Sequence, residues 1–185
     1  MQELIWEIKP DLIVETGVAH GGSSVFYASM LTLLGGQGRV VSVDVDIRAH
    51  NRAALEAHPM YPRISLIEGS STDEAVVAQV REMAAGAERV LVTLDSNHSH
   101  EHVLREMACY GPLVTPNSYL VVFDTVIDDF PADFFPDRPW GPGDNPKTAV
   151  KAFLRDHPEY VIDEDLEVKL QLTVCPSGYL RRLPS

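Results

Sequence analysis

The sequence predicts an α/β fold built on a doubly wound, mainly parallel sheet, and three observations carry that reading. Short apolar, β-branched runs recur along the chain, stretches of helical character separate them, and each run closes on an acidic residue. A strand covered on both faces reads as near-continuous hydrophobicity, and parallel neighbours need a crossover between them. The alternation supplies both. At 185 residues the chain fits one domain, residues 1–185, with a substantial core.

The elements follow in order. A short first helix carries Leu4, Ile5 and Trp6, apolar residues suited to an interface between copies of the chain or to burial on its own sheet. The first strand is Leu12–Glu15 (LIVE), followed by a glycine-rich turn and a helix over Ser23–Leu34. Arg39–Asp44 (RVVSVD) is the second strand, with a helix over Ile47–Ala57. Arg63–Glu68 (RISLIE) and a helix over Asp73–Ala84 come next, then Arg89–Asp95 (RVLVTLD) and a helix over Ser99–Tyr110. Tyr119–Asp124 (YLVVFD) closes the parallel series.

Beyond Asp124 the texture changes. Val126–Lys147 is rich in Pro, Asp, Gly and aromatics without any period, and a loop of that length inside a domain is usually functional. A helix starts near Lys147. The tail Tyr160–Leu183 reads as a strand followed by a pair of strands turned at Pro176-Ser177-Gly178.

Charge and cysteine usage narrow the function. Fifteen Lys and Arg stand against 27 Asp and Glu, a formal net charge of −12, with no basic patch beyond Arg181-Arg182. Such a surface repels phosphate backbones and anionic lipid, so neither nucleic acid nor membrane is an expected partner. Cys109 and Cys175 form no CxxC, there is no basic-then-apolar leader, and no apolar run reaches a spanning length. A reducing, cytoplasmic location is the expectation.

In open α/β sheets ligands bind at the carboxyl ends of the strands, where this chain sets Glu15, Glu68 and three aspartates, Asp44, Asp95 and Asp124. The turn after the first strand, Glu15-Thr16-Gly17-Val18-Ala19-His20-Gly21-Gly22-Ser23, exits sharply at Gly17 and offers free helix N–H groups to a small anion. It is not a dinucleotide fingerprint, which needs glycine where Ala19 stands, nor a Walker A loop, which needs Gly-Lys-Ser/Thr. Asp44 can accept both hydroxyls of a ribose, and Glu68-Gly69-Ser70-Ser71-Thr72 can edge an adenine. A carboxylate-accepting turn, a ribose acid and an adenine ledge describe S-adenosylmethionine better than NAD. The bland alternative is a plain turn with capping residues.

The segments PDLIVETGVAHGGSS, VTLDSNHSHEHVLREMACYGPLVTPNSYLVVFDT and FPDRPWGPGDNPKTAV resemble the cephalosporin hydroxylase / rhamnosyl O-methyltransferase family over nearly the whole chain. The resemblance implies a Rossmann-like class I methyltransferase fold: a mainly parallel seven-stranded sheet with an antiparallel C-terminal hairpin. It also implies that Glu15, Gly17, Ala19, Gly21 and Ser23 hold the methionine end of S-adenosylmethionine. Asp44 takes the ribose, Gly69 and Ser71 border the adenine, and Asp95 joins the cofactor set. Members usually carry a longer segment before the first strand, which begins here after ten residues.

Asp95 and Asp124 end adjacent strands and can share a hard divalent cation such as Mg²⁺, with His98 as general base. Relatives carry Asp-x-Asp and Glu-Asp-Thr here, whereas this chain has Asp95-Ser96-Asn97 and Phe123-Asp124-Thr125. The ligands fall on Asn97, Phe123 and Asp124 or on Asp95, Asp124 and Thr125, and the candidate set is Asp95, Asn97 and Asp124. His100 and His102, at a helix start, read as solvent-facing. Arg138 and Trp140, a charged fork beside an aromatic platform, suit a sugar or another polar ring. The expected activity is methyl transfer to a hydroxyl of a sugar, glycan or secondary metabolite. Two alternatives stand beside it: an iron oxygenase with a two-histidine, one-carboxylate triad, and a non-catalytic cofactor-binding partner subunit.

Overall fold

A computed structural model describes residues 1–184. Strands β1 (Leu12–Thr16), β2 (Arg39–Asp44), β3 (Ile64–Glu68), β4 (Val90–Leu94) and β5 (Tyr119–Val122) run parallel. β6 (Tyr160–Ile162) and β7 (Tyr179–Arg182) complete one seven-stranded sheet in the order β3-β2-β1-β4-β5-β7-β6, with β7 antiparallel to both its neighbours. The order reverses between β1 and β4, and that switch point opens a crevice at the carboxyl ends of the strands.

Helices α1 (Gln2–Ile8), α2 (Gly22–Leu34), α3 (Ala49–Glu56), α4 (Glu74–Ala84), α5 (His100–Tyr110), α6 (Pro146–Asp156) and α7 (Glu164–Leu170) flank the sheet. The side-chain period of two divides β1 between two cores. Leu12 and Val14 join Val76, Val80 and Met107 on one face, while Ile13 joins Leu4, Ile5 and Leu31 on the other. Leu4 and Ile5 are therefore buried on the chain's own sheet, and of the three apolar residues singled out in that helix only Trp6 stays out, 54% exposed. No helix of the described residues is long and apolar enough to cross a membrane.

The tail departs from the expected hairpin. Glu164–Leu170 is helical rather than extended, because Asp163 accepts the Leu166 N–H at 3.0 Å as an N-cap and three acidic residues fill the first turn. Those local signals outweigh the alternation of Leu166, Val168, Leu170 and Leu172. No strand forms between α7 and Pro176; the turn there survives, with the Gly178 N–H donating to the Cys175 carbonyl at 2.8 Å, and it feeds β7 directly. The antiparallel pair is β6 with β7, joined across α7.

Candidate active site

The turn after β1 is built by close approach. At Gly17, φ is +90° and an added Cβ would stand 1.9 Å from the Asp95 carbonyl oxygen, so only glycine lets β1 and β4 exit side by side. Asp44 Oδ2 accepts the N–H groups of Val18 at 2.7 Å and Ala19 at 3.0 Å, tying the turn to the end of β2. Beneath it Glu15, 2% exposed, accepts the hydroxyls of Ser24 at 2.5 Å and Ser42 at 2.8 Å. Burial pushes its pKa up, and the serine bonds oppose that rise.

A cavity of about 310 Å³ opens above this turn at the switch point. Of the residues singled out in the sequence, Gly17, Ala19, Asp44, Ser71, Asp95 and Asn97 line it. Glu15, Gly21, Ser23 and Gly69 do not; they support the walls. Gly21 is packed against Leu55 of α3, where a Cβ would meet the side chain at 2.5 Å, and the Gly69 N–H donates to the Asp44 carbonyl at 2.8 Å. His102 also lines the cavity, contrary to the solvent-facing reading, with Ser96 beside it. The signal that points to it is Glu106, one turn on and fully buried.

On the other side of β4, Asp95, His98 and Asp124 bring one ligand atom each within 4.8 Å of one another. His98 Nδ1 lies 3.4 Å from Asp124 Oδ2. Asp124 adopts a left-handed φ of +55°, tolerated by aspartate, as the chain leaves β5 for a 3-10 turn over Thr125–Asp129. Phe123 packs instead against the apolar cluster of α1 and α2, so Asp124 is the member of its pair that reaches the rim. Asn97 turns its side-chain oxygen to the Ser99 N–H at 2.8 Å, ahead of α5.

Charge crowding marks this side. Shielding of its carboxylate, then the like charges of Asp124, Glu15 and Glu106, push the Asp95 pKa up to about 7, although the residue as a whole is exposed. His98 is shifted the other way: burial lowers its pKa and Arg138 adds to that, against the opposing pull of Asp124. Its ring is thereby favoured in the neutral, proton-accepting form.

The aperiodic loop closes this side. Trp140 meets the His98 ring edge-on at 5.0 Å, with the Arg138 guanidinium 5.5 Å from the Trp140 ring and Phe135 at 5.1 Å. Phe130 and Phe134 stack at 4.3 Å behind them. The two residues proposed for substrate thus stand beside the Asp95, His98 and Asp124 cluster. His100 is fixed to α6 through Thr148 at 2.8 Å, away from that cluster.

Comparison with known proteins adds the family. The family model described as Rhamnosyl O-methyltransferase/CmcI matches residues 1–183. A rhamnosyl O-methyltransferase of Mycobacterium tuberculosis is 34% identical over 183 residues, covering 98% of this chain and 71% of that protein. Among solved structures, the CmcI-N160 apo-structure superposes with a TM-score of 0.65 at 19% identity, over 100% of this chain and 69% of that one. The Mg-SAM structure of cmcI-D160 gives 0.63 at 19% identity, over 99% and 69%. These likenesses fix the fold as that of the class I methyltransferases.

Proposed function

The chain belongs to the rhamnosyl O-methyltransferase/CmcI family, and from that premise we propose that it transfers the methyl group of S-adenosylmethionine to a hydroxyl of a sugar or related polar acceptor. The observation that carries the reading is one juxtaposition. A cofactor-sized cavity edged by Asp44 and an acidic cluster with a neutral histidine meet at Asp95, which belongs to both.

The residues fit the cofactor. The cavity lies within the range of small-molecule sites, and Asp44 stands where ribose acids stand in switch-point folds. Its carboxylate accepts N–H groups from Val18, Ala19 and Asp46, leaving acceptor capacity for a ribose hydroxyl. The bound cofactor supplies an activated methyl group. The walls from Gly17 to Ser71 would hold the adenosyl part beside Asp95, which lines the same cavity.

A divalent cation fits as well. Asp95 and Asp124 offer the hard oxygens that Mg²⁺ prefers, and one imidazole beside two carboxylates is not the two-histidine triad of an iron oxygenase. A bound cation lowers the pKa of an acceptor hydroxyl and fixes its oxygen. Asp95 and Asp124 would hold such a cation, and His98 would take the hydroxyl proton on its ring nitrogen. Trp140 gives a sugar ring a flat apolar platform, and Arg138 gives its hydroxyls a fork of N–H donors.

Calorimetric titration with S-adenosylmethionine and S-adenosylhomocysteine, with and without Mg²⁺, tests the reading on wild type, Asp44→Ala and Asp124→Asn. The expectation is micromolar-range binding lost in Asp44→Ala, with any Mg²⁺ effect lost in Asp124→Asn. Wild type that binds neither ligand in any condition removes the methyltransferase reading.

A further inference from the structure

Behind the cavity, α3 carries a buried amide that the preceding chemistry leaves unused. Asparagine is a poor residue for a helix interior, since its side chain competes with the backbone for hydrogen bonds. Asn51 nevertheless stands within α3, 6% exposed, and its Nδ2 donates to the Ala19 carbonyl at 2.8 Å. Ala19 lines the cavity and Asn51 does not, so the amide acts from behind the wall. One turn further along the same face of α3, Leu55 packs against Gly21, and the helix thus holds the glycine turn at two points.

What it holds there is an unfavourable conformation. Ala19 stands where a dinucleotide fingerprint would have glycine, and it adopts a left-handed φ of +46°, a region that glycine enters freely. For alanine the Cβ crowds a carbonyl oxygen there, and such a residue persists only where its surroundings over-determine it. Both backbone groups of Ala19 are in fact held by side chains: its N–H donates to Asp44 Oδ2 at 3.0 Å, and its carbonyl accepts Asn51. Asp44 Oδ2 also accepts the Val18 N–H at 2.7 Å, whereas Oδ1 accepts only the Asp46 N–H, at 3.1 Å, among the described residues. With two N–H groups on Oδ2, the acceptor position left for a ligand lies on Oδ1.

The geometry points to Asn51 as a positioning residue for ribose recognition: by holding Ala19 left-handed, it keeps two N–H groups on one oxygen of Asp44 and leaves the other for the ligand. The inference rests on the S-adenosylmethionine reading above. Without the Asn51 donor, Ala19 relaxes toward the conformations alanine favours, and the turn loses its hold on Oδ2. The carboxylate must then be ordered at the moment of binding, and affinity falls. Ala19→Gly removes the bias against the left-handed region, so it keeps the turn in place without the amide.

The test is calorimetric binding of S-adenosylhomocysteine to wild type, Asn51→Ala, Ala19→Gly and the double variant, each held well below its own thermal melt. Asn51→Ala is expected to weaken binding about tenfold. Ala19→Gly alone stays within about threefold of wild type, and added to Asn51→Ala it recovers most of the loss. An asparagine that merely packs α3 against the turn gives no such recovery, because Ala19→Gly adds no packing. Wild-type affinity in Asn51→Ala overturns the inference alone, and so does a loss that Ala19→Gly leaves in place. If Asn51→Ala fails to fold, Asn51→Ser, whose side chain is one bond too short to reach the Ala19 carbonyl, is read in the same way. Wild type that does not bind S-adenosylhomocysteine overturns the cofactor reading beneath it and the inference with it.

Discussion

Gly17 is the residue on which the candidate site depends for its shape. With φ at +90° and the Asp95 carbonyl 1.9 Å from where a Cβ would stand, Gly17→Ala forces backbone apart rather than side chain. The expected cost is about 2–4 kcal/mol of stability, by urea unfolding, together with loss of cofactor binding. Gly22 is the control: no atom lies within 4 Å of its added Cβ, so Gly22→Ala stays within about 1 kcal/mol of wild type. The sequence assigns the sharp exit to Gly17 but does not separate Gly22 from Gly21, whose constraint is the Leu55 side chain of α3. The placement of Asp44 and Asp95 at the cavity, and of Asp95, His98 and Asp124 in one cluster, was legible because each ends a strand or follows one. His102 was not, because its meaning lies in Ser71 and Ser96, which come from other segments and meet it only in the fold.

At the scale of elements, one carboxylate ties the start of the aperiodic loop to its end and to α6. Asp128 Oδ1 accepts the Asn145 amide at 2.7 Å and the Gly143 N–H at 3.0 Å, while Oδ2 accepts Lys151 at 3.1 Å. Asn145 in turn caps α6 through a reciprocal capping box with Thr148. The Asn145 and Gly143 bonds, aided by Lys151, hold the Asp128 pKa down at about 2, below the unfolded value of about 3.9. A depressed carboxylate contributes stability above its unfolded pKa and loses it as pH falls toward the folded one. With solvent screening allowed for, the contribution is about 1 kcal/mol. Thermal melts of Asp128→Asn should therefore run below wild type at pH 7, and the two should converge as pH falls from about 4 to about 2. A gap that persists at the acid end would assign the effect to packing rather than charge. The same loop sets Trp140 against His98, so Trp140→Ala should raise KM for the acceptor several-fold while leaving cofactor binding intact in the calorimeter. Sequence period found every parallel strand within a residue or two, since burial on both faces writes itself as continuous hydrophobicity. It misread α7 because Leu166, Val168 and Leu170 on that short helix, with Leu172 just beyond it, alternate like a strand, and the Asp163 cap and the acidic first turn separate the two.

For the whole molecule, the strand order β3-β2-β1-β4-β5-β7-β6 was not legible in the sequence, because spacing alone does not say which strands are neighbours. That order is what brings residues from β1, β2, β3 and β4 to one cavity. A ligand seated there ties together the ends of four strands that share no local contacts in sequence, so binding is a stability term for the entire fold. At a concentration one hundred times its dissociation constant, a ligand that binds only the folded chain adds about 2.7 kcal/mol. For a domain of this size that raises the melting temperature by roughly 5–10 °C. S-adenosylhomocysteine should produce that rise in wild type and in Trp140→Ala, whose loop lies outside the cavity, but not in Asp44→Ala. Mg²⁺ should add a separate rise by relieving the repulsion between Asp95 and Asp124, absent in Asp124→Asn. A melt that S-adenosylhomocysteine leaves unmoved in wild type, at concentrations saturating in the calorimeter, would mean that the ligand binds the unfolded chain equally and that the switch-point cavity is not its seat.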